Sequence, residues 1–278
     1  MNAFNPLKTI RDIWHYRDII LQFSKRYVQM GFRGSALGSF WILIGPLLML
    51  GLYSFVFGTV FGGSFSISTE KGIQHATGMD YALGIFLGLT ILNVFSGVLG
   101  AGSGLIVSSP NFVKKVVFPL EVLPVALVGQ LFFNYLTSLL LGLLGLALLG
   151  PGIGSSWVWA PLVVLPMIFM AVGLAWLLSA VGVFIRDVGQ LSPFLGSVLL
   201  YSSAVFYPIS EIQKLPGFWA VLKWNPVLHG VDQLRRVLLW GLEPNWNRLL
   251  FVWIAGIVIF QLGAWVFHRL REDFADLL

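Results

Sequence analysis

Residues 122–185 read VLPVALVGQLFFNYLTSLLLGLLGLALLGPGIGSSWVWAPLVVLPMIFMAVGLAWLLSAVGVFI, 64 residues with no Asp, Glu, Lys or Arg. A helix crosses the hydrocarbon core with about 20 apolar residues. The stretch is therefore too long for one helix. The turn residues PGIGSS at 151–156 divide it into two, 121–149 and 158–185. A barrel strand would alternate polar and apolar residues, and this stretch does not. The class is a helical membrane protein.

The same reading extends outward. Gly34–Thr69 is uncharged and holds a span at 39–61, followed by a Gly/Ser-rich loop. Further spans are expected at 81–107, 189–209 and 249–268. The predicted fold is an all-α integral membrane protein with six transmembrane helices. Residues 1–38 form an interface region, 39–270 the transmembrane domain and 271–278 a tail. The whole chain agrees: 57% of residues are hydrophobic, 10% charged, and the mean hydropathy is +0.86. Soluble domains carry about 25% charged residues. There is no cysteine, and the four histidines (His15, His75, His229, His268) are scattered. Disulfides are excluded and no metal site is expected. The first 33 residues carry eight charges, so no cleavable signal peptide is expected.

Lys and Arg set the orientation. Lys8, Arg11, Arg17, Lys25, Arg26, Arg33, Lys114, Lys115, Arg186, Arg269 and Arg271 fall on one side. Only Lys71 and five cations within 211–248 fall on the other. Both termini are expected in the cytoplasm.

Three segments outside the spans carry pattern. Ile13, Tyr16, Ile20, Phe23, Tyr27 and Met30 recur at spacings of three and four, the mark of an amphipathic helix. Such a helix lies in the membrane interface, or also docks a cytoplasmic partner. Gly31, Gly34, Ser35 and Gly38 then let the chain turn into the membrane, and Trp41 marks the interface. At 108–119, SSPNFVKKVVFP holds a helix of about two turns between Pro110 and Pro119. It reads as a short loop with lysines among headgroups, or as a rigid knob offered to another protein. Segment 211–248 is too charged to span yet rich in Trp and Leu. Two short re-entrant helices dipping into the outer leaflet fit it, as does an amphipathic loop lying flat. Val227, Val231, Leu234 and Leu238 make its apolar face, with Asp232, Arg235 and Arg236 assigned elsewhere.

The chemistry present is sparse. No phosphate-binding loop, HExxH, GxSxG or paired carboxylate motif occurs. The centres of the spans hold no charge, which argues against proton coupling inside the chain. Asn93, Gln130, Asn134, Gln190 and Gln261 are the long polar side chains there, suited to helix packing. Aromatics reach 15%, and Tyr53, Phe55, Phe57, Tyr201, Phe206 and Tyr207 lie deeper than the interfacial belts. Sugar CH faces stack on rings, so a ring-lined, charge-free path could pass a glycan. Ordinary helix or lipid packing is the other reading of each ring.

Four sets of residues, in order along the chain, carry a resemblance. They are Lys25-Arg26-Tyr27 with Arg33-Gly34-Ser35-Ala36-Leu37-Gly38, Trp41 and Pro46-Leu47; Lys114 to Pro119 with Glu121; Arg186-Asp187-Val188; and Tyr207-Pro208-Ile209 with Asn225-Pro226 and Arg235-Arg236. The chain resembles the membrane subunit of the type-2 ABC export family, in its polysaccharide-exporting branch. The resemblance implies a homodimer in the bacterial cytoplasmic membrane with two separate ATPase subunits, which bind ATP and Mg. It implies a lipid-linked polysaccharide as cargo, such as O-antigen, capsule or teichoic acid, and no nucleic acid. Pro110, Asn111, Phe112, Lys114, Lys115 and Phe118 would form the coupling helix. Lys25, Arg26, Tyr27, Arg33 and Trp41 would form the elbow, Arg186 and Asp187 a cytoplasmic pair, and 211–248 an outer gate. Tyr53, Phe57, Tyr201, Phe206 and Tyr207 are the candidate path. No catalytic, cofactor or metal residue is expected. Other readings are a permease for a drug or another lipid, a secondary transporter or flippase, and a membrane-embedded glycan enzyme.

Overall fold

The computed structural model describes residues 6–60, 66–69, 72–75, 78–114, 118–152 and 154–277. Lys71, Lys115, Val116, Val117 and both chain ends lie outside the described residues.

The chain opens with two consecutive helices, α1 (Pro6–His15) and α2 (Arg17–Met30), where the apolar spacing predicts one. Helical hydrogen bonds continue through Tyr16, from its N–H to the Asp12 carbonyl at 3.1 Å and from Ile20 N–H to its own carbonyl at 3.0 Å. The helix thus bends there without ending, and the bend lets its apolar face follow the bundle. Ile20, Phe23 and Tyr27 pack on the core; Met30, assigned to the same face, is exposed. The turn into the membrane is made by Gly34 (φ 83°) and Gly38 (φ 49°), where a Cβ would strain the backbone. Gly31, expected to share that turn, has an ordinary helical φ of −62°.

Beyond the turn stands α3 (Trp41–Tyr53), continued by a π-helical segment, Ser54–Val60. A short antiparallel hairpin follows within the expected Gly/Ser-rich loop, β1 (Ser66–Thr69) with β2 (Gly72–His75). The rest is helical: α4 (Gly78–Gly102), α5 (Pro110–Lys114), α6 (Val122–Leu149) and α7 (Ala160–Phe184). Among the described residues five segments are long and apolar enough to cross a membrane: Gly38–Val60, Gly78–Gly102, Val122–Leu149, Ser155–Phe184 and Trp246–Leu277. The last comprises α12 (Trp246–Leu270) and α13 (Phe274–Leu277). Central α4 is buried against α6, α7 and the elements after them. Apolar helices gain little from leaving lipid for one another, so close packing must hold them. The α7–α12 seam shows how: a Cβ on Gly263 would overlap the Gly173 carbonyl, and one on Gly256 the Pro166 carbonyl.

The expected span at 189–209 is the main difference. The helix there, α8 (Val188–Ser202), has 15 residues, roughly 22 Å, against a hydrocarbon core of about 30 Å. It ends because Ala204 adopts φ 53°, the one non-glycine residue with positive φ among those described. The segment expected to hold two short helices holds three, α9 (Ile209–Gln213), α10 (Pro216–Leu222) and α11 (Pro226–Leu238). Prolines start each: Pro208 stands just before α9, and Pro216 and Pro226 open the other two. Within the segment α11 does not lie flat on the surface, since it is enclosed by α4, α7 and α12, whereas α10 buries no residue. Arg235 also differs from expectation. It falls four residues after Val231 and three before Leu238, so helical spacing puts it on the apolar face. It is 2% exposed, and Asp232 is buried beside it.

Candidate functional site

Two groups of residues that are far apart in sequence come together, one at each half of the bundle. The first is at the end where α6 begins and α12 finishes. There the Arg271 guanidinium meets the Glu121 carboxylate at 3.3 Å, and Trp176 Nε1–H donates to the Glu121 carbonyl at 3.0 Å. Phe112 of α5 lies 5.5 Å from Phe23 of α2 and 4.8 Å from Phe118, with Phe23 and Phe118 5.3 Å apart, centroid to centroid. Tyr27 extends the cluster, 6.3 Å from Phe23. Burial pushes its hydroxyl pKa upward against the opposing charge of Arg26. α2 is tied in turn to α6 by Ser24 Oγ, which donates to the Ala126 carbonyl at 3.1 Å.

Rings in mutual contact, edge-on between Phe23 and Phe112 and tilted against Phe118, join α2 to α5. Around that junction Pro110, Asn111 and Lys114 are exposed, as are Lys25, Arg26, Arg33 and Trp41. A partner pressing on the α5 edge would move α2 and the start of α6 with it. Arg186 and Asp187 are exposed at the same end, in the turn from α7 to α8. The Phe184–Phe274 ring contact at 6.3 Å anchors that turn beside α13.

The second group is a run of rings. Tyr53 lies 6.1 Å from Phe57, Phe57 5.7 Å from Phe206, and Phe206 6.4 Å from Tyr201. Tyr81, which sequence reasoning missed, joins at 6.0 Å from Phe57. Tyr207 donates its hydroxyl hydrogen to the Tyr201 carbonyl. Phe55 instead points outward and is exposed.

An open groove of about 480 Å³ runs between α4 and α8, lined by Tyr53, Asn93, Ser96, Gly189, Ser192 and Gly196 among others. A second cavity of about 380 Å³ lies between α3, α4 and α6, with Thr90, Asn93, Asn134 and Ser138 in its wall. Tyr53, Leu89 and Asn93 border both, and no charged side chain lines either. The surface that results is apolar with scattered hydroxyl and amide groups. It can stack rings and exchange weak hydrogen bonds, and it has no cation to grip an anion and no acid or base to act on a bond. Among the described residues no three acidic or histidine side chains gather as a metal site.

Next to the rings, α11 carries the buried charge. Arg235 Nε–H donates to the Gly84 carbonyl at 2.8 Å and Nη1–H to the Ala204 carbonyl at 2.6 Å, with Nη2–H on Val205. Burial lowers its pKa to about 10, so it stays charged at neutral pH. Asp232 pairs with Arg248 at 3.0 Å. Asn225 caps the helix, its Oδ1 accepting from Val227 N–H at 3.0 Å. The Asn-Pro pair was a legible helix start. The destinations of Arg235 were not, because its acceptors are backbone carbonyls 30 and 151 positions away.

The family model described as ABC-2 type transporter matches residues 20–239, from α2 through α11. The domain it describes is a membrane permease domain, of a family that lacks the ATPase domain. Among similar proteins, an O-antigen export system permease protein RfbA of Myxococcus xanthus is 25% identical over 273 residues, covering 97% of this chain and 99% of that one. A Klebsiella pneumoniae protein of the same name is 21% identical, over 94% of this chain and 95% of its own. The polysialic acid transport protein KpsM of Escherichia coli is 23% identical over 89% of this chain and 91% of its own.

Proposed function

The chain belongs to the ABC-2 type transporter family, and from that premise we propose that it is the membrane subunit of an ATP-driven exporter of a polysaccharide, lipid-linked and of the O-antigen kind. The cargo crosses the bacterial cytoplasmic membrane between two copies of the chain. Two separate ATPase subunits bind ATP and Mg on the cytoplasmic face, where both termini of this chain lie. α5 seats in each ATPase, and the Phe23–Phe112–Phe118 cluster passes the stroke to α2 and α6. α8 with the turn after it makes the sixth crossing, and α9 to α11 form the outer gate. The cargo class is carried over from the relatives, which match nearly end to end.

The observation that carries the reading is the charge-free groove along α8 leading to the rings of Tyr53, Phe57, Phe206 and Tyr201. A neutral glycan slides over such a surface because stacking is sequence-tolerant and no ion pair must be broken at each step. The test is reconstitution of the chain in proteoliposomes with its co-purifying ATPase and a lipid-linked O-antigen. Glycan should appear across the bilayer only with ATPase and ATP together. Equal transfer without the ATPase overturns the reading, and so does ATP-driven transfer of a drug or plain lipid with no transfer of glycan.

A further inference from the structure

We propose that Arg235 is a positioning residue that fixes the turn after α8 and, through it, the aromatic wall of the path; this rests on the reading that those rings border the cargo. A helix end leaves its last carbonyls without partners, and in a membrane irregular backbone survives only where the protein satisfies it. Here α4 and α11 do so. Asn225 Nδ2–H donates to the Ser202 carbonyl at 3.1 Å, Arg235 serves Ala204 and Val205, and Tyr81 Oη–H serves Phe206 at 2.6 Å. The guanidinium's third bond, to Gly84, ties the turn to central α4.

The residue type matters. Only a planar fork can meet two successive carbonyls and a third on another helix at once. Its charge also faces the negative end of the α8 dipole. A Cβ on Gly88 would lie 2.9 Å from Nη2, so α4 leaves room for the fork by lacking one there. The arrangement holds Ala204 at its positive φ. Phe206, two residues on, is thereby set against Phe57 and Tyr201. Arg235 lines neither groove, and it acts on the path through the backbone it holds.

The chain has no cysteine, so spin labels can be placed at Val198→Cys on α8 and Leu250→Cys on α12, both exposed. Labelled chain is co-expressed with excess unlabelled chain and its ATPase, and the label distance is read in nanodiscs. In Arg235→Lys the distribution should shift and broaden, and the O-antigen concentration for half-maximal ATPase stimulation should rise about tenfold, as loss of charged hydrogen bonds predicts. Tyr81→Phe, which keeps the ring and removes one donor, should shift the distance in the same direction by less. A folded Arg235→Lys protein with lowered Tm but unchanged distance and half-maximal concentration overturns the proposal. If Arg235→Gln fails to insert, Arg235→Lys and Tyr81→Phe still decide it. If wild-type ATPase ignores glycan while the label distance still shifts, the cargo reading fails and the positioning role stands.

Discussion

The pair α7–α12 and the pair formed by α3 and α8, which each pack on α4, are charge-free but for Arg248 and Arg269 near the ends of α12, yet they are held in different ways. In the first pair backbone approaches backbone at Gly173, Gly256 and Gly263. Rings interlock across it, Phe169 with Trp253 and Phe260, and Trp176 with Phe260. Trp253 Nε1–H reaches the Leu162 carbonyl at 3.1 Å. In the second pair Leu50 and Ser192 are the only buried residues, and Gly45, Gly51 and Gly196 have nothing near them. Since lipid offers apolar helices the same contacts that they offer one another, the first pair is a fixed frame. The second has no such seam, and its two helices lean separately on α4.

The sharpest break of that contrast is a small side chain on each pair. Gly263→Val meets backbone that cannot yield, and should cost about 3 kcal/mol or more by overpacking. Folded yield and Tm should both fall steeply. Gly196→Ala on α8 meets open space and should leave Tm unchanged. Equal Tm values for the two variants would dissolve the distinction.

A smaller effect is expected where the loose pair carries its rings. Tyr53→Ala with Tyr201→Ala removes both ends of the aromatic run while sparing the seam. Export by the reconstituted complex should drop severalfold, with assembly intact, because Tyr201 is 65% exposed and supports little packing. Normal export would return both rings to ordinary lipid contact. Smaller again is Phe112→Ala in the end cluster, where one aromatic pair is worth about 1 kcal/mol. Tm should move slightly, while ATP hydrolysis should lose its response to cargo; retained response would separate α5 from coupling. Lys114→Glu, at the exposed edge, tests the same contact from the partner's side and should weaken ATPase co-purification.

The frame was largely legible in the sequence and the moving parts were less so. Charge-free windows marked the five segments of crossing length among the described residues, because burial in lipid leaves a one-dimensional trace. The window at 189–209 failed at Ala204, whose positive φ depends on Arg235 and Tyr81 from elsewhere in the chain, a tertiary cause with no local signal. Arg235 itself could have been placed on the buried face by counting from Val231, but its charge argued the other way. The rings at 53, 57, 201, 206 and 207 were visible as a set of types. That Phe57 meets Phe206 was not, because periodicity says nothing about which helices are neighbours. The α7–α12 seam left only scattered glycines, indistinguishable in sequence from those of α3 and α8.

The subtlest prediction concerns the boundary between frame and gate. His229 of α11 is 5% exposed and packs 5.3 Å from Phe251 of α12. Its Nε2–H donates to the Lys223 carbonyl at 2.8 Å, and Nδ1 is buried without a partner. Burial lowers its pKa, the Lys223 carbonyl opposes that, and the nearby Arg248 and Asp232 charges act in opposite directions. The folded chain therefore resists a proton that the unfolded chain accepts near pH 6.5. Stability is level above that value and falls as pH drops below it. Tm should be lower at pH 5 than at pH 7.5. His229→Gln, which keeps a donor for Lys223 and cannot titrate, should show a smaller drop. Identical drops in the two proteins would mean that acid acts on carboxylates at the bundle ends. A smaller drop in the variant would mark α11 as fastened to α12 through an uncharged ring, on the fixed side of the molecule, while its Arg235 reaches across to the loose one.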